Sequence, residues 1–525
     1  SLMTIRILSR AAREGLRIAP EQFFENPTIA GQAALVEKVD DNIDRGPVAA
    51  GSAPLLPIQH WFFRNILTDS HYWNHSFLFE IDGAVGTPKI EQAIATLLQR
   101  HDALRMQFSR NESVWSAEVV EAPVLPVESV VLEADSPESC NKQIEEVSRR
   151  LNSSFELDQA PLLRACHFVG KSCKRNFLLL VIHHLVVDVE SWRILLADLE
   201  RLLAQQTDSR QPELKDSGSS VTRWATTLQT LANSPDLDAD KAHWARVLQN
   251  GPTRIPTDGD RSIASNRERD TVIRSYTIDA EKMSGLRALA HEALRASLYE
   301  VIVSAVARAI AGWAGTTRVV FDTEGHGREP LAAGDAESTV GWLTSLFPLV
   351  FDTDSATWSD ATAALRHIKE QFRSIPKKGV TFGILHYLAH SSGHPEEIAT
   401  YEGADILFNY LGDAGIESEN AAILSLLDTR CGTSRSPKCE RAYLVEINTY
   451  QSAGALIFDV SYSEEMFSAE TIEALGRSFL LAMQAITDAA GNRDSNATVA
   501  ADFPLADLSA KDLDSIASQL DKLED

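Results

Sequence analysis

Five consecutive apolar residues, Leu178 to Ile182, run directly into His183-His184, and a short turn then leads to Asp188. An unbroken apolar run of this length is expected of a strand buried on both faces, because a half-buried strand alternates. A strand that ends in two histidines holds an imidazole rigidly at the mouth of a sheet, and imidazole titrates near neutral pH. Trp192, Leu195, Leu196, Leu199 and Leu202 follow at three- and four-residue spacing and predict a helix.

The same alternation of strand-like and helical runs continues along the chain. Extended runs are expected from Trp73 to Ile81, from Ala103 to Phe108, at Val319-Val320-Phe321, from Ile406 to Tyr410 and from Leu456 to Tyr462. Helical period is expected at Ile90 to Leu98, at Leu298 to Trp313, which is apolar on most faces and so buried, and at Thr471 to Ile486. Alternating strands and helices predict an α/β class. No repeat recurs at a period of roughly 20 to 50 residues.

At 525 residues the chain is too long for one ordinary domain, and length alone suggests about three or four. It opens at Ser1 without a methionine and so reads as a piece of something longer. Residues 1–38 read as short helices: Leu2, Ile5, Leu8 and Ala12 share one face, Pro20 to Phe24 starts a second, and Pro27-Thr28-Ile29-Ala30 starts a third. Residues 39–53, rich in Asp, Gly and Ala, read as a linker. The body divides into 54–222 and 223–490, with a polar, Gly- and Ser-containing break at 205–220, and residues 491–525 read as a second linker.

The formal net charge of -25 argues against a general nucleic-acid surface, which needs clustered Lys and Arg. No apolar stretch approaches the roughly 20 residues of a membrane helix, and no signal segment opens the chain. The five cysteines are odd in number and match no zinc spacing, so free thiols in a reducing cytoplasm are the simplest account. The histidines and acids likewise lack metal-ligand spacing, and no metal is expected.

A second polar constellation, Glu324-Gly325-His326-Gly327-Arg328-Glu329, lies far along the chain. With Pro57-Ile58-Gln59-His60-Trp61-Phe62, His183 to Asp188, Thr339-Val340-Gly341-Trp342-Leu343-Thr344, Pro376 to Gly383 and Phe408-Asn409-Tyr410-Leu411-Gly412, it forms an ordered series across roughly residues 54–490. This series resembles the epimerization domains of nonribosomal peptide synthetases, a branch of the condensation-domain superfamily. The HHxxxD element belongs to the whole superfamily; EGHGRE followed by VGW and FNYLG points to the epimerization branch. Residues 1–38 resemble the C-terminal part of a peptidyl carrier domain. Ser1 then stands where such a domain carries 4'-phosphopantetheine.

The resemblance implies two chloramphenicol-acetyltransferase-like lobes forming a V, with a tunnel between them, preceded by the helical carrier remnant. It implies inversion at the α-carbon of an aminoacyl or peptidyl thioester, carried on the pantetheine arm of an upstream carrier domain. The domain itself would need no cofactor, and a condensation domain of the next module would follow. Such chemistry needs a base for the α-proton, a donor for the enolate oxygen and a proton returned on the opposite face. Glu324 and His184 are the candidate acid/base pair. Burial would raise the Glu324 pKa from the ordinary value of about 4.3. His184 serves either protonated, as donor to the thioester oxygen, or neutral, as proton acceptor. Tyr410 either lines the site and assists reprotonation or is a core aromatic, and Asn409 is placed to orient the substrate amide. His183 is assigned to packing, Asp188 to a salt bridge with an arginine, and His326 and Arg328 to shaping the EGHGRE loop. Trp61, Trp192 and Trp342 are expected in the core or the tunnel wall.

One position departs from the family. Val189 stands where Gly usually follows the motif aspartate, as in some fungal members. A β-branched residue is strained at positive φ, so either the turn is right-handed here or the pantetheine channel is narrower. Two other functions compete with the epimerase: a condensation domain forming peptide bonds, which shares HHxxxD, and an inactive scaffold that only docks carriers.

Overall fold

The computed structural model describes residues 49–133, 136–171, 175–207, 220–262, 265–329, 336–389, 394–413, 423–427 and 432–491, with 11, 16–18, 28–38, 214, 331, 499 and 502. The chain forms two compact units. The first comprises residues 1–233, 326–344 and 415–439; the second comprises 234–325, 345–414 and 440–525. Neither unit is a contiguous half. The first runs past residue 222 to Asn233 and takes in two later excursions of the chain.

The first unit is built on a five-stranded sheet in the order Leu424–Leu426, Asn74–Ile81, Asn176–His183, Leu163–Gly170, Glu128–Leu132. Every pair is antiparallel except the last. Asn176–His183 lies at its centre, and Phe177 to His183 are all buried. The cover on each face explains the unbroken apolar run. On one face Trp192 of the helix Val189–Thr207 packs edge-on against Phe77. On the other, Asn152, at the end of the helix Pro137–Asn152, takes hydrogen bonds from Asn74 and Ser76. A three-stranded sheet of Gly51–Ala53, Val114–Val119 and Met106–Asn111 lies beside it in sequence. Gly51–Ala53 thus pairs as a strand where a linker is expected.

The extended run expected from Ala103 begins later. Asp102–Arg105 is a 3-10 turn and the strand is Met106–Asn111. Tertiary hydrogen bonds hold the turn: buried Asp102 accepts from Ser220 Oγ (2.6 Å) and from the amides of Val221 and Thr222, while Arg105 donates to the Val120 carbonyl. Of the N-terminal helices, Ile29–Leu35 is described; its cap is Thr28, whose hydroxyl accepts from the Gly31 amide at 3.1 Å. Leu16–Arg17 and Glu37–Lys38 form an antiparallel pair that helical reading did not anticipate. Ser1, the helical face from Leu2 and the segment Pro20 to Phe24 lie outside the described residues.

The second unit carries a six-stranded mixed sheet in the order Thr271–Ile278, Ala455–Ser463, Val445–Ser452, Ile406–Asp413, Arg318–Gly325, Ser345–Asp352. The central pairings of Ile406–Asp413 with its two neighbours are parallel and the others antiparallel. Helices Leu298–Ala314, Ala361–Arg373 and Ala469–Gly491 pack against one another. Leu298–Ala314 opens with a capping box between Ser297 and Glu300 and ends at left-handed Gly315; it is buried along most of its length, as its apolar surface requires. The tail beyond it is anchored at one point: Asp502 pairs with Lys369, whose side chain is wholly buried, and with Arg373. The motif strand Arg318–Gly325 and the strand Ile406–Asp413 thus lie side by side, which brings two of the candidate residues together. Among the described residues, no helix is long and apolar enough to cross a membrane.

Candidate active site

In the first unit the paired histidines have separate fates. His183 is fully buried and both its nitrogens are bonded: Nδ1 accepts from the Leu185 amide (3.1 Å), so Nε2–H donates to the Ser70 carbonyl (2.9 Å). Burial pushes its pKa down to about 3. His184 is tied at one nitrogen. Its Nδ1 lies 2.7 Å from the Val187 carbonyl, which can only accept, so Nδ1 carries the proton and Nε2 the lone pair. Burial lowers the His184 pKa to about 4. Of the two states open to it, the hydrogen bonding therefore favours the neutral proton acceptor.

Aromatic rings fix the orientation of that imidazole. His184 stacks on Trp342 at 4.1 Å and 28°, and the His75 ring lies 4.1 Å from it. Trp61 meets Trp342 edge-on at 6.2 Å. Trp192 is fully buried, and its indole N–H donates to Nδ1 of His75 at 3.1 Å. His75 was not among the expected site residues. The available signal was a polar pair, Asn74-His75, opening an otherwise apolar strand.

Asp188 anchors the segment that carries Trp342. Its carboxylate receives both Nη1 (2.8 Å) and Nη2 (2.9 Å) of Arg328, the Leu343 amide, and the amide and hydroxyl of Ser191. Burial alone would raise the Asp188 pKa; the Arg328 charge and these hydrogen bonds outweigh it and hold the carboxyl below its usual value. Arg328 also donates to the carbonyls of His326 and Thr339, and His326 Nδ1 accepts from the Arg328 amide. Gly341 belongs to the same knot. Its N–H donates to Ser191 Oγ (3.0 Å), and a Cβ there would stand 2.8 Å from both Val221 and Leu343. Val189 opens the helix Val189–Thr207 and is not among the positive-φ residues. The turn after Asp188 is right-handed, and a β-branched residue sits there without strain.

In the second unit Glu324 and Asn409 meet. Their strands run parallel with Thr323 opposite Phe408, and Asn409 Nδ2 donates to Glu324 Oε2 at 2.8 Å. Asn409 is thus engaged in holding the carboxylate. Tyr410 is the next residue along the strand, and successive side chains point to opposite faces. Its hydroxyl accepts from Gln451 (2.7 Å), and its ring lies 5.8 Å from Tyr299, whose hydroxyl is hydrogen-bonded to Thr323. The structure therefore gathers Glu324 with Asn409, and Tyr410 with the polar cluster on the reverse of the sheet.

The sequence pattern of the condensation domain matches residues 49–508. The chain belongs to the condensation-domain family. A linear gramicidin synthase of Brevibacillus parabrevis is 32% identical over 531 residues, covering 98% of this chain and 7% of that protein. This condensation-family chain thus spans a small part of the synthases it resembles. The crystal structure of the epimerization domain from the third module of tyrocidine synthetase B superposes with a TM-score of 0.76 at 29% identity, covering 85% of this chain and 99% of that one. The X-domain from teicoplanin biosynthesis, at 16% identity and a TM-score of 0.68 over 86% of this chain and 98% of that one, shares the fold.

Proposed function

We propose that this condensation-family domain epimerizes the α-carbon of an aminoacyl or peptidyl thioester held on the phosphopantetheine arm of an upstream carrier domain. The observation that carries the reading is Glu324, held by Asn409 on adjoining strands within EGHGRE and FNYLG. Peptide-bond formation needs no second proton carrier of this kind, whereas stereoinversion needs one on each side of a planar intermediate. His184, neutral with its Nε2 lone pair available, takes the α-proton; the C–H electron pair moves to the thioester oxygen, and Glu324 in its acid form returns a proton to the opposite face. In the D-to-L direction the two exchange roles. Similarity to the tyrocidine synthetase epimerization domain supports this assignment. Tyr410 receives no proton-transfer role, because its hydroxyl lies on the other face of the strand from Asn409.

Asp188 and Arg328 act as supports, fixing the turn after His184 and the segment bearing Trp342. The covalent tether to the carrier supplies the effective concentration of substrate, since the acidic chain has no general attraction for an acidic partner. A condensation domain of the next module takes the product.

The test loads an intact upstream carrier with an L-aminoacyl-pantetheine, incubates it with the domain in deuterium oxide, cleaves the thioester and measures chirality and α-deuterium. An epimerase gives D product and α-deuterium without a second substrate. A condensation domain requires an acceptor amine, and a scaffold does neither. His184→Ala and Glu324→Ala each abolish the D fraction on this reading; an unchanged D fraction in both refutes it.

A further inference from the structure

His75 and His184 are adjacent imidazoles with opposite hydrogen-bonding states. Their ring centroids are 4.1 Å apart, with 50° between the planes. His75 Nδ1 accepts the indole N–H of Trp192, and an indole nitrogen can only donate. The neutral His75 ring therefore carries its proton on Nε2. His184 is the converse: Nδ1–H is committed to the Val187 carbonyl and Nε2 holds a lone pair. Among the described residues, neither Nε2 has a hydrogen-bond partner.

His183 shows what a purely structural histidine looks like here, with both nitrogens satisfied within the protein. His75 is satisfied at one nitrogen only, and its other is a donor beside the candidate base. Its tautomer is held by a fully buried tryptophan, so the donor is preorganised by the fold. Burial, with smaller contributions from His184, Arg435 and His183, keeps the His75 pKa well below its ordinary value. The ring thus acts as a neutral hydrogen-bond donor, as backbone N–H groups do in oxyanion holes.

We propose that His75 is a catalytic residue whose Nε2–H donates to the thioester carbonyl oxygen while Nε2 of His184 removes the α-proton. The C–H bond breaks, an N–H bond forms on His184, and the electron pair comes to rest on the oxygen hydrogen-bonded to His75. Protonation at carbon returns the electron pair and frees the oxygen. No oxidant or co-reactant is required. This inference rests on the epimerase reading and supplies the oxyanion donor that the reaction needs.

The test compares wild type, His75→Ala, His75→Gln and Trp192→Phe. Deuterium wash-in is measured on the carrier-bound L-aminoacyl thioester. Binding is measured for a pantetheine-linked nitronate, which carries the planar, oxygen-centred anion of an enolate, and for the matching neutral ketone. His75→Ala is expected to lower kcat for wash-in about 10²–10³-fold, with KM nearly unchanged and nitronate affinity falling far more than ketone affinity. His75→Gln, which restores an N–H, recovers most of the loss; Trp192→Phe, which frees the tautomer, gives an intermediate rate. Wash-in by His75→Ala at the wild-type rate overturns the proposal and leaves the epimerase reading intact, as does equal nitronate affinity in wild type and His75→Ala. Absence of wash-in by wild type, with nitronate affinity still dependent on His75, removes the reaction and keeps the donor.

Discussion

Replacing Arg328 by methionine removes the cation facing Asp188 and keeps the apolar stem. Both side chains are almost wholly buried, 1% and 6% exposed, so the pair meets in a low-dielectric setting. Breaking such a pair by deleting one member costs about 3–5 kcal/mol, because the other charge stays buried. Asp188 would keep the Ser191 amide, the Ser191 hydroxyl and the Leu343 amide, which places Arg328→Met near the lower end. Acidity then separates this account from a simple packing loss. In wild type the Asp188 pKa is depressed, so its contribution is present above the unfolded value of about 3.9 and is lost as pH falls through the folded value. In the variant burial raises the pKa, and the sign reverses. The cost of the substitution should narrow by about 1.4 kcal/mol per pH unit below the raised value. Asp188→Asn strands a guanidinium that cannot shed its proton, so its cost should be larger and independent of pH. The double variant should cost less than the sum of the two. Urea unfolding at pH 7 and pH 5 measures this, with hydrogen exchange of the 326–344 peptide as the local reading. A loss under about 1 kcal/mol at pH 7, the value of an exposed pair, or the same loss at pH 5, refutes the reasoning.

Four further outcomes are expected. His184 has its pKa lowered to about 4, so its proton-accepting form persists from pH 8 down to that value; a wash-in rate that falls with a midpoint near 6.5 and is assigned to His184 by mutation contradicts this. Glu324→Gln should slow wash-in about 10²–10⁴-fold and Tyr410→Phe far less; equal losses would put Tyr410 on the reacting face. Asp502→Ala leaves Lys369 buried without its anion and should cost about 3–5 kcal/mol in thermal or urea unfolding, with Lys369→Met restoring much of it; an unchanged midpoint counts against the anchor. A Cβ at Gly476 would fall 2.1 Å from the Tyr276 ring, so Gly476→Ala should destabilise the second unit by about 1–3 kcal/mol, and a neutral result in urea unfolding shows that the ring can move aside.

Much of the fold was legible because the strongest signals were local. The run Leu178 to Ile182 demanded cover on both faces, and Leu298 to Trp313 was too apolar for a surface helix. Asp188 was readable as a salt-bridge residue, yet naming Arg328 as its partner depends on a segment that joins the first unit from far along the chain. The 3-10 turn at Asp102 was hidden for the same reason, since its hydrogen-bond partners lie at Ser220, Val221 and Thr222. His75 becomes significant only through cross-strand register, which sets Asn74 against His183 and His75 against Ile182. The parting of Tyr410 from Glu324 was within reach of the sequence. Asn409 and Tyr410 are neighbours in one strand, so only one of them can share a face with Glu324.

The first unit's discontinuity bears on how it is made and how it can be cut. Synthesis from the N-terminus delivers residues 1–233 long before Arg328, Trp342 or the strand Leu424–Leu426 emerge. Until then Asn74–Ile81 is an uncovered sheet edge, and Asp188 is a carboxylate waiting for its cation. An unpaired edge invites association with other chains, and late-arriving contacts slow folding. A fragment ended at residue 233 would stay in that half-made state permanently, so a workable dissection of this chain has to keep everything through Cys439.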